Sequence, residues 1–116
     1  MSEDMYQSAL ERLSRVPGVR GALIVDADAG VPVVSELAAD VDGGALAALA
    51  ASLFKRTDRA IATAAFGKLA TLQLEAEQGH VIAGDAGDLI IVAIAEPRAQ
   101  LGLVRLEVHR TAEALR

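Results

Sequence analysis

The stretch VDGGALAALAASLFKRTDRAIATAAF, Val41 to Phe66, decides the reading of this chain. Leu46, Leu49, Ala50, Leu53, Ala60, Ile61 and Ala64 recur at spacings of three and four, with Thr57 as the polar member of the row. That is the period of an α-helix with one buried face. Asp42 is placed to cap its start by accepting a hydrogen bond from an unpaired first-turn amide. Gly67 is placed to end it in a left-handed conformation. Some 22 residues at about 1.5 Å each make a rod of about 33 Å, long for a small domain. A second row, Ala47, Ala51, Phe54 and Ala62, runs beside the first and is broken only by Asp58. The combined apolar face is wider than one sheet needs. Two readings stand: a broad core-facing helix, or a helix that lays the Leu row on its own sheet and offers the Ala/Phe row to a second copy of itself.

Length and composition bound the rest. At 116 residues the chain suits one domain, residues 1–116. It is 53% hydrophobic and 23% charged, which places it among globular rather than disordered chains. Eleven basic against sixteen acidic residues give a net charge of −5, and only 3% of residues are aromatic. Phosphate contacts need concentrated Lys and Arg, and single strands need stacking rings, so nucleic acid is not the expected partner. There is no cysteine, hence no disulfide and no thiolate chemistry. The N-terminal run Met-Ser-Glu-Asp-Met-Tyr carries no apolar leader, and no apolar run reaches the length of a span. The expectation is a cytoplasmic protein without membrane insertion.

Outward from the long helix, the remaining elements alternate simply. Met5 to Arg15 reads as a short helix ended by Pro17-Gly18. Gly21 to Asp26 is a strand apolar on both faces, so it belongs inside a covered sheet. Asp28-Ala29-Gly30 turns the chain, and Val31 to Ser35 returns as an edge strand, because Pro32 cannot donate a ladder hydrogen bond. Leu69 to Ala76 alternates apolar with polar. His80 to Asp85 follows, with Gly84 marking a bulge. Leu89 to Ala95 is the second strand apolar on both faces, and Gln100 to Arg116 is the last helix. Two strands of that kind should be central neighbours in one five-stranded, mainly antiparallel sheet with helices on both sides.

The candidate chemistry is thin. Asp26-Ala-Asp28-Ala-Gly30 starts like a calcium loop, but its twelfth position is Leu37 rather than a bidentate Glu. Gly67-Lys68 lacks the other parts of a phosphate loop. His80 reads as a surface strand end and His109 as a helix-face residue, with no partner in sequence. Asp85 and Asp88 read as turn formers. The expectation is therefore no catalytic residue, no metal site, no cofactor and no enzymatic activity.

As a whole the chain resembles the roadblock-type domains of the dynein light chain family, in particular the bacterial members associated with gliding motility. The residues that carry the likeness come in order. Val16-Pro17-Gly18-Val19 leads into Gly21-Ala22-Leu23-Ile24-Val25-Asp26, and an Asp28-Ala29-Gly30 turn precedes Val31-Pro32-Val33-Val34-Ser35. Ala45-Leu46-Ala47-Ala48-Leu49-Ala50 opens the long helix. Gly87-Asp88-Leu89-Ile90-Ile91-Val92 precedes Leu101-Gly102-Leu103-Val104-Arg105. The resemblance implies a roadblock-type, profilin-like α/β (α+β) fold with strand order 2-1-5-4-3. It also implies a homodimer through the long helix and the third strand, and a non-catalytic role as regulator or adaptor of a small Ras-like GTPase.

Residue placement gives this expectation its addresses. The dimer interface is expected at Ala47, Ala51, Phe54 and Asp58 of the helix and at Leu69, Thr71 and Gln73 of the unprotected edge strand. The polar side of the helix, Ser52, Lys55, Arg56, Arg59 and Thr63, is the expected GTPase-facing surface. Two other functions compete. A purely structural dimeric scaffold would bind no partner in a nucleotide-dependent way, and a small-ligand sensor would show a saturable thermal shift with a metabolite.

Overall fold

Leu23 and Val25 of the first strand and Ile90 and Val92 of the last are buried on one side of a sheet, while Ala22, Ile24, Ile91 and Ala93 are buried on the other. Both strands are thus apolar on both faces because both faces are covered. In this computed structural model, which describes residues 2–116, the order is α1 (Ser2–Ser14), β1 (Val19–Asp26), β2 (Pro32–Leu37), α2 (Gly43–Thr63), β3 (Thr71–Ala76), β4 (Gly79–Ala86), β5 (Leu89–Ala95) and α3 (Leu101–Leu115). Met1 and the side chains of Ser2 and Glu3, all used in the sequence reading, lie outside the described set. The five strands form one antiparallel sheet in the order β2-β1-β5-β4-β3, with β1 and β5 adjacent in register Leu23↔Val92 and Ile24↔Ile91. Fold and strand order are as expected.

The helices divide unequally. Leu10 and Leu13 of α1 join Val104, Val108 and Ala112 of α3 over one face. Only α2 covers the other, through Ala47, Ala50, Ala51 and Phe54, packing against β1, β2 and β5. Asp42 caps α2 as expected, its carboxylate accepting from the Ala45 amide at 3.0 Å.

Three local expectations are corrected. Gly84 lies in regular register with both Thr71 and Ile91, so it marks no bulge. Its reason is α3: a Cβ there would lie 2.7 Å from the Val108 Cγ1, so glycine lets the helix settle on the strand. The irregularities in pairing belong to β1, between Ile24 and Val25 and between Val19 and Gly21. His80 is no surface strand end. It is 7% exposed, and its Nε2–H donates to the Pro97 carbonyl at 3.2 Å.

The third concerns the end of α2, which Gly67 does not make. Ala65 takes the left-handed conformation, φ 59°, while its amide donates to the Ala62 carbonyl and the Phe66 amide donates to the Ile61 carbonyl, both at 3.0 Å. This is the paired-bond helix stop usually built with glycine, here built with alanine. Gly67, φ 91°, makes a second left-handed step soon afterwards. A Cβ in that region costs about 1–2 kcal/mol. Ala65→Gly should therefore raise the unfolding free energy by about 0.5–1 kcal/mol, the penalty relieved less the entropy that glycine adds to the unfolded chain. Urea denaturation reads it as a higher midpoint at unchanged slope.

Candidate functional site

Helix α2 presents three different sides, and the structure exchanges two of them relative to the sequence reading. Ala47, Ala51 and Phe54, expected at the dimer interface, are 0%, 5% and 6% exposed and belong to the core under α2. They are already covered by their own sheet and offer nothing to a second copy. Of the Leu row, expected in the core, Ala50 is buried and Ile61 packs against the core as expected, whereas Leu49 is 47% exposed, Leu46 and Leu53 are half-buried, and Ala60 and Ala64 are exposed. The reason is size. Alanines let the helix backbone come close to the pleated surface, and the bulkier leucines are turned to the flank.

That flank runs beside the free edge of the sheet. Strand β3 pairs only with β4, leaving its other side unpartnered. Leu72 and Leu74 of β3 lie on the α2 side and meet Leu46, Leu49 and Val81 around a shallow apolar notch. Thr71 and Gln73 stand on this edge, as expected. The Gln73 side-chain oxygen accepts from the Arg105 guanidinium at 3.2 Å, which ties the α3 face to the edge strand. Asp58 and Leu69, the remaining expected interface residues, are engaged with each other. The Asp58 Oδ1 accepts from the Leu69 amide at 2.7 Å, and Leu69 is buried. This bond fastens the end of α2 to the entry of β3, an intrachain role that the sequence separation conceals.

The opposite flank is cationic. Ser52, Lys55, Arg56 and Arg59 are exposed and gather with Asp28 of the β1–β2 turn around an open concavity of about 340 Å³. Thr63, one turn on, donates its hydroxyl to the Arg59 carbonyl at 2.9 Å. Among the described residues the ion pairs within 4.0 Å are Arg20 with Asp40 and Arg116 with Asp85 and Glu113. Lys55, Arg56 and Arg59 enter none of them. Lys55 also borders a smaller cavity of about 160 Å³ that reaches Asp58, Lys68 and Asp85.

The other sequence candidates have structural duties. Asp26 Oδ1 accepts from the amides of Asp28 and Ala29, which shapes the hairpin turn. Asp85 accepts from the Arg116 guanidinium at 2.7 Å and from the Gly87 amide at 3.2 Å. Asp88 and His109 are exposed. Among the described residues no group of three or more His, Asp or Glu side chains is placed to hold a metal ion, and no helix is long and apolar enough to cross a membrane.

Comparison with known proteins agrees with this geometry. The Roadblock/LC7 domain model matches residues 5–95. The uncharacterized protein MJ1340 of Methanocaldococcus jannaschii is 30% identical over 97% of both chains. MglB of Myxococcus xanthus superposes with a TM-score of 0.87 at 20% identity, over 97% of this chain and 85% of that one. Profilin IB of Acanthamoeba castellanii shares the fold more distantly, with a TM-score of 0.67 at 20% identity over 95% of each chain. The chain belongs to the Roadblock/LC7 family.

The exchange of helix faces has a direct test. Ala51→Arg places an unpaired charge and extra volume in the core, and should cost about 3 kcal/mol or more. Leu49→Arg, on the open flank, should leave the stability of the isolated chain within about 0.5 kcal/mol. Thermal unfolding followed by circular dichroism, in conditions where the chain is monomeric, compares the two. Equal losses would contradict the assignment of faces.

Proposed function

We propose that two copies of this Roadblock/LC7 chain pair through the open flank of α2 and the free edge of β3, and that the dimer is a non-catalytic regulator or adaptor of a small Ras-like GTPase. One observation carries the reading: a single helix has an apolar flank beside an unpartnered strand edge and, on its other side, three cations without carboxylate partners among the described residues. The interface so revised consists of Leu46, Leu49, Leu53, Ala60 and Ala64 together with Thr71 and Gln73. A two-fold pair uses the same patch twice, so it joins two strand edges and covers two apolar flanks at once.

The same symmetry doubles the polar side. Ser52, Lys55, Arg56, Arg59 and Thr63 of two helices lying side by side would form one basic platform on a dimer whose chains each carry a net charge of −5. Such a patch attracts an acidic partner surface and fixes its orientation. A regulator of this kind needs no residue of its own in the nucleotide site. It biases the mobile switch segments of the GTPase by binding one of their arrangements more tightly than the other. The family likeness supplies the class of partner, and the unpaired cations supply the surface.

Reversing both charges, Arg56→Glu with Arg59→Glu, tests this surface. The double variant should remain a folded dimer and lose affinity for the GTP form of the cognate GTPase, with about 1–3 kcal/mol from each arginine that is an interfacial anchor. Titration calorimetry against the GTPase loaded with a GTP analogue or with GDP measures both affinity and nucleotide dependence. Unchanged affinity would refute the surface. Absence of binding by any small GTPase of the source organism would favour the structural scaffold.

A further inference from the structure

Phe66 is 84% exposed, the most open of the large apolar side chains described. It is not on a loose loop. Its amide is fixed to the Ile61 carbonyl at 3.0 Å, and the residue before it holds a left-handed conformation that alanine tolerates poorly. Strain of this kind next to an exposed aromatic points to function. At the other end of α2 lies a shallow apolar surface among Leu46, Leu49, Leu72, Leu74 and Val81, whose dip of about 10 Å³ is too small to enclose a side chain.

A two-fold axis brings the two features together. The open flank of α2 carries large residues in its first half, Leu49 and Leu53, and small ones in its second, Ala60 and Ala64. In an antiparallel pair of helices, Leu49 opposite Ala64 and Leu53 opposite Ala60 share one midpoint, between Arg56 and Thr57. Large then meets small along the seam. The same midpoint brings the segment carrying Phe66 beside the turn of the other copy that holds Leu46 and Leu49. Resting on the homodimer proposed above, we infer that each Phe66 ring lies across the apolar surface of Leu46, Leu49, Leu72 and Leu74 of the other copy and is the principal anchor of the pair. Area favours a second copy as the occupant. Two rings exposed to this degree remove roughly 300 Å² of apolar surface when both are covered. That is about a fifth of the roughly 1,600 Å² buried by a standard interface. Because the segment is held by backbone bonds before association, little ordering entropy opposes the contact.

Sedimentation across a dilution series tests the inference on the full chain. Phe66→Ser should weaken the dimer roughly 30-fold or more, the loss expected of a central aromatic anchor, while circular dichroism shows an unchanged fold. Phe66→Trp adds a spectroscopic reading, since the chain has no tryptophan of its own. Its emission should shift to the blue as the chain passes from monomer to dimer. Phe66→Asp with Leu46→Arg, present in both copies, should recover part of what each change loses alone. A wild-type chain that stays monomeric at tens of micromolar, about tenfold or more above a micromolar Kd, overturns the homodimer and this contact with it. A wild-type dimer whose affinity is unchanged by Phe66→Ser, or whose Phe66→Trp variant keeps a water-exposed emission, overturns the Phe66 contact and leaves the homodimer standing. Strictly additive losses at positions 46 and 66 overturn the apolar surface around Leu46 as the place the ring contacts.

Discussion

Two helices cover one face of this sheet and one helix covers the other, and much of the molecule follows from that inequality. Five strands at about 4.8 Å spacing span roughly 19 Å between the outermost strand axes, whereas a helix with its side chains is about 10 Å across. Helix α2 packs on β1, β2 and β5. The half-buried Leu72, Leu74 and Val81 of β3 and β4 therefore face the same side without full cover. On the opposite face α1 and α3 share the load, and Ile82 and Ala86 of β4 lie in a closed core with Val104 and Val108. The uncovered strip is thus a consequence of helix count, and it falls where the strand edge is also unpaired.

The connection from α2 into β3 is held by polar bonds. The chain leaves helix α2 through two left-handed residues, Ala65 and Gly67, and is fastened by the Asp58 carboxylate to the Leu69 amide. The Ala70 carbonyl then accepts from the Asp85 amide at 3.0 Å, and Asp85 is itself clamped by Arg116 at the end of α3. The chain of contacts links the end of α2, the start of β3, the β4–β5 turn and the C-terminal end of α3. Asp85 is the better shielded member of its ion pair, 14% against 47% exposed for Arg116, and its second oxygen accepts from the Gly87 amide at 3.2 Å. A carboxylate bonded on both oxygens fixes geometry more firmly than an exposed pair would.

Strand identities are legible in the sequence because period and two-sided burial are both written in β1 and β5. The bounds of Leu89 to Ala95 agree to the residue, and the Asp42 cap is legible from one side chain. The facing of α2 is not legible. A period of 3.6 reports that two apolar rows exist, but not which of them meets the sheet. Bulk suggests the leucines, and close approach of helix to sheet selects the alanines instead. Contacts made by backbone groups across long separations are equally hidden. Nothing in the spacing of Asp58 and Leu69 announces a hydrogen bond, and nothing near Gly84 announces Val108. The helix stop escapes the sequence because left-handed geometry is ordinarily glycine's, and here Ala65 adopts it. His80 looks like a surface group in sequence because its carbonyl partner, Pro97, belongs to a turn that folds back over it. The cationic side of α2 is legible throughout, since solvated charge needs no partner to be recognised.

The choice of residues on the two α2 rows argues that the open flank is kept for contact. Burying leucine contributes more than burying alanine, in proportion to the apolar area removed from water. A monomer built for its own stability would turn its leucines inward. Here Ala47, Ala50, Ala51 and Phe54 take the buried row, while Leu46, Leu49 and Leu53 remain partly in solvent beside an unpaired edge. Both features are liabilities for an isolated chain, the first by exposed apolar area and the second by free strand donors and acceptors. Leu46, Leu49, Leu53, Thr57, Ala60 and Ala64 follow one another on the flank, and Arg56, seven residues after Leu49 and four before Ala60, borders it. Lys55 and Arg59 are set farther round the helix, about the concavity that also takes in Asp28 and Arg56. That separation of apolar and charged surface is the arrangement expected when two different contacts share one helix.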